Sequence, residues 1–580
     1  MNNELGDLQT IRQRLAGAHG KEYWRCLEEL ADSEAFEQLL RAAYPRQAAA
    51  WADSLDRRGF LKLMGASLAL AGLSGCLSPA PAPTDEKIVP YVKQPEEIIP
   101  GKPLYFASAM PLAGYGRGIL AESHMGRPTK IEGNPSHPAS LGATDIFMQA
   151  SILELYDPDR AQVLSHAGRI ATWDNFFAAI NGEMAAQRLN GGASLAILTE
   201  TITSPTLSFQ LQQLLEKFPK ARWYQYDAAA RDAAHGGARL AFGDVLDAIY
   251  RFDQAEVILS LDADFLYYGP GALRYARDFS NKRRVVGAES GMNRLYVVES
   301  MPTVTGSMAD HRWALAPRAL AAFAHAVAKG LGVANIGASQ ASEGVDQRAV
   351  DAVVRDLQNH RGRGIVLAGD HQPAALHALA HAMNQTLGNS GATIHYIEPV
   401  EAQPVDHDHS LRALVSAMAA GQVQGLFILG GNPVYSAPAD VQFTELLART
   451  RFTVHLSPYE NETSALCRWR VPEAHYLESW SDVRAFDGTA SLIQPMIAPL
   501  YGGRTAHELL AVLLGETGRA SYELVRAYWQ QQSKARSDFE QFWRAALHDG
   551  VVPQSAAQTR QAALKQSSSP PSVGTPKELP

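Results

Sequence analysis

Six short runs in this chain are apolar almost throughout: Leu195 to Leu198, Glu256 to Leu261, Arg294 to Glu299, Gly364 to Ala368, Gly425 to Leu429 and Phe452 to Leu456. A strand with one wet face alternates apolar and polar residues; a strand without that alternation is covered on both faces. Segments of helical spacing lie between these runs: Trp173 to Leu189, Thr206 to Phe218, Arg318 to Leu331, Arg348 to His360, Pro373 to Leu387 and Leu411 to Ala420. Strands are also expected at Arg222 to Tyr226 and Thr393 to Ile397. Alternating strand and helix imply parallel sheets sandwiched by helices. The fold class is therefore α/β, with two doubly wound parallel-sheet domains at 166–320 and 321–550. A small β-containing region precedes them at 104–165. It is read as a strand from Leu104 to Ala109, then a hairpin of 118–124 and 128–132 around Met125-Gly126-Arg127, then a helical stretch ending at Tyr156-Asp157-Pro158.

Ahead of this body, residues 54–76 read SLDRRGFLKLMGASLALAGLSGC. Arg57 and Arg58 head a twin-arginine export pattern, and a soft apolar run follows that is too short for a bilayer core of about 30 Å. Its end, Leu73-Ser74-Gly75-Cys76, is similar to a lipobox, which makes Cys76 the expected acylation site. The chain is expected to be exported folded and held by lipid at the periplasmic face of the cytoplasmic membrane. Residues 1–53 form a pre-signal segment with a helical pattern over 21–44. Residues 77–103 are Pro-rich and read as a tether. The Gln-, Ser- and Pro-rich stretch 551–580 reads as a disordered tail.

Composition narrows the function classes. A net charge of −8 argues against a nucleic-acid partner. The cysteines are Cys26, Cys76 and Cys467, too few for a disulfide framework, a Cys₄ zinc site or a four-cysteine iron–sulfur cluster. There is no GxxxxGK phosphate loop and no GxSxG elbow.

Several loops carry a resemblance. Gly126-Arg127-Pro128-Thr129-Lys130-Ile131-Glu132-Gly133-Asn134-Pro135, Gly430-Gly431-Asn432-Pro433 after GLFIL, and Val471-Pro472-Glu473 with Tyr476-Leu477-Glu478-Ser479-Trp480 resemble segments of the molybdopterin oxidoreductases. YWRCLEEL at 23–30, the signal at 57–76, ESMPTVTGSMADHR at 299–312 and LAGDHQP at 367–373 resemble one branch, the large peripheral subunit of alternative complex III. That resemblance implies a non-catalytic scaffold subunit in a membrane-bound quinol-oxidising complex. Its implied partners are integral-membrane quinol-binding subunits, cytochrome c subunits and an iron–sulfur protein chain, which would hold the haem and the clusters. It also implies a further domain supplied by a separate polypeptide, docked on an apolar face near the helices of 505–547.

The chain departs from the catalytic members. Residues 77–466 contain no cysteine, so the cluster that usually precedes GRPTKIEGNP is absent and a cysteine metal ligand is excluded there. No catalytic residue, metal or cofactor is assigned to this chain, and no molybdopterin is expected in it. A serine or aspartate ligand within Thr201 to Ser208, or at Asp262 or Asp264, stays open, which would make the chain a catalytic molybdopterin enzyme. A free-standing ligand-binding lipoprotein is a third reading. Gly430, Gly431, Asn432, Pro433, Gly369, Asp370 and His371 are the vestigial pterin-loop candidates. The two adjacent glycines serve either a ligand phosphate or a tight turn, the turn being favoured. Asp406-His407-Asp408-His409 reads as a solvated loop. His124, His137, His311 and His371 read as members of polar networks, and Cys467 as a buried small side chain.

Overall fold

The computed structural model describes residue 99 and residues 101–285, 287, 291–334, 345–533 and 538–565. All of them belong to one compact unit, Glu96–Pro580. The pre-signal helix, Arg57, Arg58, Cys76 and most of the tether lie outside the described residues.

The apolar runs are the central strands of two sheets. In the larger sheet Leu195–Thr199 pairs in parallel with Arg222–Gln225 on one side and Gly425–Leu429 on the other. Phe452–Ser457 and Trp469–Pro472 extend it in parallel, and the short strands Ser165–His166 and Arg169–Ile170 close its edge. The smaller sheet has the order His311–Ala314, Arg294–Glu299, Val257–Leu261, Gly364–Ala368, all parallel. The sequence boundary near 320 is therefore corrected. The chain leaves the larger sheet after Gln225, builds the smaller one and returns at Gly425, so the second layer is an insertion into the first. All of these runs are equally apolar, and nothing local tells which of them will pair.

Alternation along each strand splits its side chains between two cores. Leu259, Leu261 and Val298 face Leu320, Phe323 and Val353, while Ile258, Leu295 and Val297 face Phe252 and Phe279. The larger sheet does the same: Ile197, Phe427 and Val454 pack on Phe176 and Leu211, and Leu198 and Ile428 pack on Leu414 and Phe443. The covering helices start where their caps say. Thr172 accepts from the Asn175 N–H at the head of Trp173–Leu189, and Ser204 caps Pro205–Lys217, whose proline sits in the first turn.

The small region is an antiparallel sheet of Leu104–Leu112, Tyr115–His124 and Arg127–Gly133. Met125 and Gly126 make its second turn with positive φ, and helix Ile146–Leu155 packs on it through Met148, Ile152 and Leu155.

Three further expectations are corrected. The tail is ordered as far as it is described: Thr559–Arg560 pairs with Tyr396–Ile397, and the Lys565 N–H donates to the Ala241 carbonyl. Backbone pairing to an open sheet edge fixes this polar stretch without a core of its own. The helices near 505–547 do not present a bare apolar face among the described residues. Val525, Trp529, Phe542, Trp543 and Ala546 are buried against Ala490 and Leu492 of the hairpin Ser481–Arg484 and Ala490–Ile493. Large exposed apolar side chains stand instead on Ile146–Leu155, where Ile146, Phe147 and Leu153 face outward. Lastly, Asp406-His407-Asp408-His409 opens a helix, His407–Ala419, rather than a loop. Asp406 is its cap, accepting from the His409 N–H at 2.8 Å.

Candidate functional site

Each sheet reverses its strand order at one point, and such points leave a crevice beyond the carboxyl ends of the two strands. In the larger sheet the reversal falls between Leu195–Thr199 and Gly425–Leu429; in the smaller it falls between Val257–Leu261 and Gly364–Ala368. The pterin-loop candidates divide between these points: Gly430 to Pro433 at the first, Gly369 to His371 at the second.

The first crevice, about 180 Å³, is lined by Glu200, Tyr226, Asp227, Gly430, Gly431 and Asn432, among others. Gly430 and Gly431 take φ of 74° and 67°, which a residue with a Cβ adopts at a cost. A Cβ on Gly430 would lie 2.8 Å from Glu200 Oε2. The tight turn and the ligand-facing turn are thus the same object. It is held from below by His455, whose Nε2 lies 3.3 and 3.1 Å from the Gly430 and Gly431 carbonyls. Asn432 accepts from the Thr463 N–H and hydroxyl and donates to Glu462.

Glu200 follows its strand directly and projects over this turn. Water reaches it along the crevice, yet protein surrounds it. Desolvation pushes its carboxyl up to about 7; the Asp227 charge adds to this, and the Gly431 N–H hydrogen bond works against it. Glu473, at the end of Trp469–Pro472, is pushed up to about 8 by burial and then by the Glu200 charge. Glu473 also borders a larger cavity of about 340 Å³, lined in part by Thr201, Thr203, His475, Tyr476 and Asp482.

The second crevice is closed. Gly369 donates to the Leu261 carbonyl, and a Cβ there would fall 2.1 Å from the Asp262 carbonyl oxygen. The Asp262 carboxylate accepts from the Ser300 N–H and hydroxyl (3.1 Å each) and from Gln372 Nε2 at 2.9 Å, and His371 Nε2 stands 3.0 Å away. Asp370 faces Arg231 at 3.7 Å. Arg231 in turn donates to Asp247 at 3.1 Å, and His235 Nε2 lies 3.2 Å from the same oxygen. Burial alone would raise the Asp247 carboxyl, but Arg231 and His235 outweigh it and hold it low. A cavity of about 90 Å³ remains beneath.

The other candidates have structural partners. Thr203 donates to the Gly114 carbonyl at 2.6 Å, and Ser204 and Thr206 donate to the buried Asp482, which also accepts from Trp529 Nε1 at 2.8 Å. Asp264 accepts from the Thr305 N–H and hydroxyl. His137 is fully buried, with Ser491 Oγ at 3.1 Å. His124 lies 2.7 Å from Glu122, and His311 stacks on Tyr296. Cys467 is buried, and burial pushes its thiol up to about 12. Glu200, Asp227 and Arg231 were not singled out from the sequence. For Glu200 the available signal was an acid immediately after an apolar strand, where parallel sheets place their crevices.

No protein-family model matches the chain. The solved structure of acetylene hydratase from Pelobacter acetylenicus matches it with a TM-score of 0.52 at 14% identity, covering 74% of this chain and 73% of that one. The fold is molybdopterin oxidoreductase-like. A curated protein named menaquinone reductase, molybdopterin-binding-like subunit, from Nitratidesulfovibrio vulgaris strain Hildenborough, is 24% identical over 514 residues. That alignment covers 80% of this chain and 72% of the relative. In this molybdopterin oxidoreductase-like chain, the loops Gly430 to Pro433 and Gly369 to His371 lie at the two reversal points.

Proposed function

We propose that this chain is a non-catalytic scaffold subunit of a membrane-associated quinol:acceptor oxidoreductase in a respiratory chain. The observation that carries the reading is the first crevice. Its glycine turn faces a carboxylate of its own chain, with Asp227 beside it, so the donor set there suits neither a phosphate nor another anion. The side chains weighed as metal ligands, Asp262 and Asp264 among them, are engaged with protein donors. The quinone-linked name of the Nitratidesulfovibrio relative supports membership of a multisubunit quinone-reacting complex. At the finer level the reading is an alternative complex III-like assembly. Here the chain is exported through Arg57 and Arg58, anchored by lipid on Cys76 at the periplasmic face, and joined to quinol-binding membrane subunits, cytochrome c subunits and an iron–sulfur chain. The molybdopterin cofactor is absent in this reading.

The test is purification of the tagged chain from detergent-solubilised native membranes. The expected result is co-purification with haem proteins and multispanning subunits, a mature N-terminus at acylated Cys76, and molybdenum and tungsten far below stoichiometric. Stoichiometric molybdenum or tungsten would overturn the non-catalytic reading. Recovery of the chain alone would overturn the complex.

A further inference from the structure

We propose that the protruding end of the small antiparallel sheet is a lipid-docking tip, which lies in the interfacial layer of the membrane and sets how the body faces it. The inference deepens the lipid-anchored part of the proposed function and rests on it. Membership of a complex is independent of it.

The argument begins with the edge strand. Leu104, Tyr105 and Phe106 open it and are all exposed, although Ala107, Ser108 and Ala109 directly after them are buried. Leu104 pairs with Ser123, so the turn at Met125 and Gly126 lies at the same end of the sheet, and Met125 is exposed as well. The exposure falls on both faces. Phe106 stands opposite Ala121, whose row continues to Ile131 and faces helix Ile146–Leu155. Tyr105 stands opposite Glu122, whose row continues to Lys130, on the other face. Tyr105 is 53% exposed and Phe106 40%.

A protein partner generally covers one face of a strand, whereas a layer of lipid headgroups surrounds a tip from both sides. Rings with a polar end, such as that of Tyr105, settle at headgroup level, and long cationic side chains reach past them toward phosphate. Lys102, Arg127 and Lys130 are exposed around the tip, and Arg127 lies over the Tyr156 ring at 5.8 Å. Glu132 pairs with Lys130, so the rings rather than net charge carry the affinity. The position of the anchor names the same surface. The described chain begins at this tip, with Ile99 exposed ahead of Leu104. The Pro-rich stretch back to Cys76 reaches up to about 70 Å when extended. A lipid on Cys76 alone would leave the body free to turn, and the tip is the part of the body that this tether brings to the bilayer.

The experiment uses the full-length chain with Cys76→Ser, which cannot be acylated, on vesicles of phosphatidylcholine and phosphatidylglycerol. Amide hydrogen exchange is read with and without vesicles. In the vesicle-bound protein exchange is expected to slow at least about threefold over 101–106 and 122–130, and to stay unchanged over 184–192. Adding Tyr105→Ser and Phe106→Ser together should remove the slowing, while Leu189→Ser, at a side chain 92% exposed elsewhere, should keep it. Both tip side chains are exposed, so the variant is expected to melt as its parent does. The export segment at 57–76 is common to every version, so any hold it has on the vesicles leaves the exchange map to show which face meets lipid. No binding to vesicles, no slowing at the tip, or slowing that survives in the tip variant overturns the proposal. So does protection of the tip in the detergent-solubilised native complex but not on vesicles, which would assign it to a protein partner. Acylation of Cys76 is read separately, by mass spectrometry of the native chain, so failure of the tip and failure of the anchor are distinguishable.

Discussion

The two crevices occupy equivalent places in their sheets and differ in every electrostatic respect. At the second, Asp262 is surrounded by four donor groups and the approach of Gly369 to it leaves no room for an atom more. At the first, Glu200 faces Asp227, and desolvation with that like charge drives it toward its neutral form. A satisfied buried carboxylate stabilises a fold; one raised by desolvation and a like charge costs stability. The same loop position is a structural clasp in one sheet and an electrostatically strained, open crevice in the other.

Breaking the clasp should give the largest effect. Asp262→Ala strips partners from the Ser300 N–H, Gln372 and His371 at once, and Gly369→Ala drives a methyl into the Asp262 carbonyl. Each is expected to cost roughly 2–4 kcal/mol of unfolding free energy, read by urea denaturation. A loss below about 1 kcal/mol for both would show the second crevice to be no clasp.

The first crevice should respond with the opposite sign. Glu200 and Glu473 have native values near 7 and 8, above the ordinary carboxyl range, so the native state holds more protons than the unfolded state between about pH 4.5 and 8. Their contribution is therefore lost as pH rises through that window, unlike a paired carboxylate, which gains. Glu473→Gln should leave stability at pH 5 nearly unchanged and raise it at pH 9 by roughly 1 kcal/mol once solvent screening is allowed for. Melting temperatures of the variant and wild type across pH 5 to 9 should diverge upward. Parallel curves would mean that the two carboxyls ionise normally.

The smallest effect belongs to His371. Its ring is 66% exposed although it touches Asp262. His371→Ala should therefore cost no more than about 0.5 kcal/mol, measured in the same denaturation series. A loss as large as that of Asp262→Ala would merge the two residues into one buried network.

Much of this molecule was legible in the chain itself. The strands Arg294–Glu299, Gly364–Ala368 and Gly425–Leu429 and the helix Trp173–Leu189 have the ends that their local pattern gives. Apolar runs without alternation, caps such as Thr172 and Ser204, and helical spacing are properties of a few neighbouring residues. The glycine turn at 430–431 was legible for the same reason, since few other residues take such φ values in succession. What local pattern could not hold was pairing. Parallel strands meet across long separations: Leu195–Thr199 finds Gly425–Leu429 only after an entire second sheet has been built between them. That pairing is decided by which apolar faces can be covered together, and it alone brings Glu200 over Gly430 and sets Glu473 behind it. The sequence determined the elements and the turn. The tertiary structure decided that the turn would face a carboxylate, because burial and charge at that point are sums over residues far apart in the chain.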